Sequence, residues 1–139
     1  MMLKNPFLNE PFDPSLKWFI GVFDIYDQEQ GPGLDLEKYN PNERADREFL
    51  IKNYALNLSY LSYRHKYVLI KALESSLNNE SYDFQSLFDI NEDEAASWPR
   101  EEWYELENPR EFLVDVYQLA QISWKEDLQK ASLEDQSTW

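Results

Sequence analysis

From Pro109 onward the apolar positions Leu113, Val116, Ala120, Trp124, Leu128 and Ala131 recur every three or four residues. A repeat of that period runs along one side of an α-helix; along a strand the period is two. Phe112, Leu119 and Ile122 widen the stripe. The pattern predicts a helix from Pro109 to about residue 133, with 134–139 a frayed tail ending at Trp139. Ile51, Ala55, Leu58, Leu61, His65, Leu69 and Ala72 trace a comparable stripe from Pro41 to about Ser76. Such a span is long for a globular helix, so a kink or break is expected near Ser59–Ser62, where hydroxyls compete for backbone hydrogen bonds.

Three Asx-Pro pairs mark helix starts: Asp13-Pro14, Asn40-Pro41 and Asn108-Pro109. Asp and Asn favour the N-cap, and proline is preorganised for the first helical position. Asn40 and Asn108 are each followed three residues later by glutamate (Glu43 and Glu111), the spacing of a capping box. The segment from Pro14 to about Asp27 is read as helix from Leu16, Phe19, Ile20 and Phe23. Its run Trp18-Phe19-Ile20-Gly21-Val22-Phe23 leaves strand as the alternative. Residues 28–40, with Gly31, Pro32 and Gly33, read as a loop, and 77–107 as short helical pieces. The expected fold is all-α: a single helical domain over 1–139, a bundle of about four to six helices with a loop-rich acidic segment. With 42% apolar and 16% aromatic residues the chain has enough to bury a core.

The charge narrows function further. Thirteen Lys+Arg stand against 27 Asp+Glu, a net of -14. That balance disfavours the basic surfaces used on nucleic acids and anionic membranes. The absence of cysteine excludes thiolate metal sites and a cysteine nucleophile, and a single histidine, His65, excludes a multi-histidine metal cage. The start Met1-Met2-Leu3-Lys4-Asn5-Pro6 is not followed by the apolar core of a secretory signal. The most apolar stretch, 18–26, falls far short of the ~20 residues of a transmembrane helix. A cytoplasmic, soluble protein is the expectation.

Resolved along the chain, the charge is uneven. Residues 43–75 are net +2, whereas 89–107 hold eight carboxylates against one arginine, half of the whole excess. This segment contains Asp89, Glu92, Asp93, Glu94, Glu101, Glu102, Glu105 and Glu107, interleaved with Trp98, Trp103 and Tyr104. So many like charges repel one another, and a cationic partner would relieve them. Aromatic side chains supply contact area, and carboxylates supply charged hydrogen bonds to Arg and Lys. These eleven residues are the candidate partner-binding set. The competing reading is a solvated acidic loop with its tryptophans tucked into the core.

Other chemistry is poorly supported. Asp89, Asn91 and Asp93 match the first ligand positions of an EF-hand, but Glu94 stands where glycine is needed and Arg100 where the bidentate glutamate is needed. No Glu-x-x-His pair is present for a di-iron site, because Ser62 lies three residues before His65. Gly31-Pro32-Gly33 lacks the frame of a phosphate loop. Acidic pairs such as Glu102 and Glu105 arise by chance among 27 acids. His65, on the apolar stripe between Leu61 and Leu69, reads as a structural histidine. Tyr60, Tyr63 and Tyr67 read as a helix–helix contact. The basic residues of this region are explained by pairing with the acids. No catalytic residue and no cofactor is expected.

A small, acidic, helical protein carrying the stretch Trp98 to Glu107, with Trp103-Tyr104, resembles the immunity proteins that neutralise bacterial toxins, of the colicin-nuclease and contact-dependent-inhibition types. The resemblance is one of class rather than of an aligned motif, and the chain is longer than colicin immunity proteins. It implies a helical inhibitor in which acidic residues and tyrosines block a basic nuclease. Two alternatives stay open: a nucleic-acid mimic of the antirestriction or anti-CRISPR type, and a carboxylate-dependent hydrolase.

Overall fold

A computed structural model describes residues 3–23, 36–89 and 98–139. The described chain is all-α, with five α-helices packed around one core. The only β pairing among the described residues is an isolated bridge between Lys4 and Pro11.

The first helix, α1 (Lys17–Ile20), runs directly into a 3-10 turn at Gly21–Phe23. Helix therefore holds over 17–23, while 24–27 lie outside the described residues. The start differs from the sequence expectation. Asp13 uses its carbonyl, not its side chain, to accept from Ser15 N at 2.8 Å, and α1 begins three residues after Pro14. Of the expected loop at 28–40, Leu36–Lys38 forms a 3-10 turn and 28–35 lie outside the described residues.

The long second stripe is divided. Helix α2 (Arg44–Leu50) continues into a π-helical turn at Ile51–Ala55, closed by Leu56 N donating to Ile51 O at 2.9 Å. The chain then breaks and restarts as α3 (Tyr63–Leu77), so the break includes Ser59–Ser62 as the hydroxyls suggested. Ser62 is the new N-cap. Its backbone N–H donates to His65 Nδ1 at 3.2 Å, and its hydroxyl lies 2.7 Å from the same nitrogen. The break does not disturb burial: Ile51, Ala55, Leu58, Leu61, His65 and Leu69 all lie inside.

The third stripe is also two helices, α4 (Pro109–Ser123) and α5 (Lys125–Ser132), with the bend at Trp124. Trp124 fills the corner, and its indole N–H donates to Leu56 O at 2.9 Å. One bend thus satisfies a carbonyl that the other break leaves free at its helix end. Leu113, Val116, Ala120 and Ala131 are fully buried; Ile122 is exposed and takes no part in the stripe.

Two further expectations are corrected. Residues 134–139 are not frayed. Gln136–Thr138 forms a 3-10 turn, and Trp139 packs edge-on against Tyr67 with its indole N–H on Glu134 Oε1 at 3.1 Å. Nor do the three tyrosines make one helix–helix contact. Tyr60 precedes α3 and packs on Phe7 and Trp18, while Tyr63 and Tyr67 hold the C-terminal tail. No helix among the described residues is long and apolar enough to cross a membrane.

Candidate partner-binding site

The acidic segment is anchored by its tryptophans. Trp103 sits in a 3-10 turn (Glu101–Tyr104) that turns its side chain inward, and it is wholly buried. Its ring stacks on Phe23 at 4.7 Å and meets Phe112 nearly at right angles at 5.5 Å. Phe88 and Trp98 close the cluster at 5.7 and 6.3 Å. Trp98 is half-buried and donates its indole N–H to Phe88 O at 2.8 Å. Trp103 is thus a core anchor and is withdrawn from the partner-binding set: a side chain without exposed surface touches no partner. The indole N–H of Trp103 has no hydrogen-bond partner among the described residues.

Polar groups then fix the loop backbone. The Gln85 amide, on a 3-10 turn at Phe84–Phe88, donates to Tyr104 O at 3.1 Å, while its oxygen accepts from Leu106 N at 2.8 Å. Arg100 grips Glu102 with two hydrogen bonds of 3.1 and 2.9 Å, and its third nitrogen reaches Glu37 O at 3.1 Å. Those bonds hold the Glu102 carboxyl below the usual carboxylate range and push the Arg100 guanidinium up. Glu102 is consequently committed inside the loop rather than offered to a partner. The backbone of Glu107 donates to Asn42 Oδ1 at 3.1 Å, tying the far end to the turn before α2.

What the loop presents outward is acidic. Asp89, Glu101, Glu105 and Glu107 are exposed, and none has an ion-pair partner among the described residues. Tyr104 stands among them, 49% exposed, with its hydroxyl accepting from Trp98 N at 3.3 Å. Glu92, Asp93 and Glu94 lie outside the described residues. Of the eleven predicted residues, then, the structure brings Glu101, Tyr104, Glu105 and Glu107 together on one pinned turn, with Trp98, Glu102 and Trp103 beneath it.

Sequence reasoning missed the residues that do the pinning. Arg100 carries a usable signal, being the one base among eight acids and two residues from Glu102. Gln85 and Asn42 carry none, since their partners lie far along the chain. His65 is buried, with Nε2 at 2.6 Å from Lys4 O and Nδ1 facing Ser62. Both ring nitrogens are occupied by structural contacts, as its place on the stripe suggests.

Comparison of the chain with protein-family models, with curated proteins and with solved structures gives no match.

Proposed function

We propose that the chain is an immunity-type inhibitor that binds a basic protein, a cognate toxin domain of the nuclease kind, through the surface around Tyr104. One observation carries the reading: Glu101, Glu105 and Glu107 flank the half-exposed Tyr104 along a turn pinned by Gln85, Arg100 and Asn42, and none of the three has an ion-pair partner among the described residues. Toxins that act on nucleic acid are cationic because they bind phosphate, so an acidic inhibitor speeds their capture. A preformed turn loses little freedom on binding, and a tyrosine at its centre supplies contact area at low entropic cost. Asp89 extends the surface at one end, and the sequence adds Glu92, Asp93 and Glu94. In this reading the protein catalyses nothing, binds no nucleic acid itself, and acts in the cytoplasm of the cell it protects.

The test is co-expression with the product of the adjacent gene. The reading expects a 1:1 complex with a basic protein, weakened by salt and lost in a chain carrying Glu101→Gln, Glu105→Gln and Glu107→Gln. A complex indifferent to these changes contradicts the site. A complex that DNA displaces from the partner's own nucleic-acid groove favours mimicry instead.

A further inference from the structure

The N-terminal arm carries a second surface that shares no residue with the acidic turn. Residues 3–12 fold back on themselves, with Phe12 N donating to Leu3 O at 2.8 Å and Asn5 N to Glu10 O at 2.9 Å. The tip is held by Asn5 Oδ1, which accepts from the backbones of Phe7 and Leu8 at 2.8 and 3.1 Å, and by Lys4 Nζ on Asn9 Oδ1 at 2.8 Å. A tip so well bonded nevertheless offers Phe7 and Leu8 to solvent, 65% and 57% exposed. Phe7 leans on Trp18 and Tyr60, with ring centres 6.3 and 4.9 Å away, so its ring is held in place beside the exposed Leu8 in the chain.

An apolar groove of about 400 Å³ opens at the base of the same arm, between the arm, α3 and the C-terminal turn. Leu3, Phe12, Tyr67, Val68 and Trp139 line it, and Lys71 stands at its side. The Lys71 ammonium lies 5.5 Å over the Tyr67 ring and meets no carboxylate among the described residues. Glu10, two residues beyond Leu8, is exposed and meets no cation among them. Tip and groove are therefore complementary twice over: apolar to apolar, and one carboxylate to one ammonium.

We infer that two copies of the chain associate about a two-fold axis, each inserting its Leu8 tip into the groove of the other with Glu10 against Lys71 of the other copy. A two-fold contact requires each copy to carry both halves of the complementarity, and the arm does so, with Leu8 at its tip and Leu3, Pro11 and Phe12 on the groove. The hydrogen-bonded tip is already in its docking shape, so association pays little for ordering it. The inference is independent of the toxin-binding proposal.

Sedimentation velocity of the full chain over about 1–100 µM tests it, because a dimer's population follows protomer concentration. The wild type is expected to move from monomer toward dimer. Leu8→Asp puts a charge into an apolar groove, and Glu10→Lys and Lys71→Glu each set like charges face to face, so each is expected to weaken dimerisation about tenfold or more. The double variant Glu10→Lys/Lys71→Glu restores it while circular dichroism stays that of the wild type. A wild type that remains monomeric throughout, or a double variant weaker than either single one, overturns the inference. So does a tip that binds phosphatidylglycerol vesicles in co-sedimentation while the chain stays monomeric.

Discussion

The molecule holds two sets of carboxylates with opposite fates. On α4, α5 and the C-terminal turn, acids meet bases: Asp115 lies 2.6 Å and Glu111 3.5 Å from the buried Arg47, Asp127 lies 2.8 Å from Lys66, and Glu134 lies 2.9 Å from Arg64. On the turn at 101–107 only Glu102 is paired, and with a residue of the same segment. Three basic residues of 43–75, Arg47, Arg64 and Lys66, are thus taken by the C-terminal part of the chain, and Glu101, Glu105 and Glu107 are left outward without an ion pair among the described residues. The difference separates acids that hold the fold from acids that the fold merely carries.

Breaking the anchor beneath the turn is expected to have the largest effect. Trp103→Ala empties a fully packed aromatic site, at a cost of about 3–5 kcal/mol in urea unfolding. A loss below about 1 kcal/mol would contradict its role as the core anchor. Asp115→Asn comes next, because it leaves the buried Arg47 charge with Glu111, 3.5 Å away, as its one carboxylate partner among the described residues; about 3 kcal/mol is expected in the same assay. An unchanged midpoint would mean that the pair carries no net weight.

The tail gives a pH test. The Tyr63 hydroxyl first, and then Arg64, hold the Glu134 carboxyl below its ordinary value of 4.5. The resulting stabilisation is fully present above that ordinary value and is lost as pH falls through the lowered one. Protection of the Trp139 indole N–H against exchange, relative to free tryptophan at the same pH, should therefore be high at neutral pH and fall in that acid window. Glu134→Gln should exchange faster at pH 7 and respond less to acid; equal behaviour of the two chains would refute the assignment. The smallest effect on stability is expected where charge is highest. Neutralising Glu101, Glu105 and Glu107 should move the unfolding free energy by no more than about 0.5 kcal/mol, as for surface sites without partners.

The same contrast explains what the sequence makes legible. Asn108-Pro109 and Asn40-Pro41 carry one signature, yet only the first opens a helix as written, with Asn108 Oδ1 accepting from Glu111 N at 3.1 Å. Asn40 instead accepts from Asn42 N at 2.9 Å, its own N–H goes to Asp46, and α2 starts after Glu43. The competing force is tertiary. Asn42 is needed by Glu107 and the Pro41 carbonyl by Arg47, so 40–43 is held as a turn. The burial of Trp103 is masked in the sequence for a related reason: flanking carboxylates hide an apolar pair, Trp103 and Leu106, three residues apart and both buried. Periodicity identified the stripes because burial obeys it even where the helix breaks. It could not reveal Gln85 or Asn42, whose roles depend on contacts distant in sequence.

Whether the acidic turn binds a basic partner is decided by affinity for the adjacent-gene product, measured against salt for the wild type and the Glu101→Gln/Glu105→Gln/Glu107→Gln chain. Tight wild-type binding that weakens steadily with salt is expected, with the variant equally stable but bound at least about a hundredfold more weakly and with a flatter salt dependence. Equal affinities and equal salt slopes for the two chains would contradict binding through the turn.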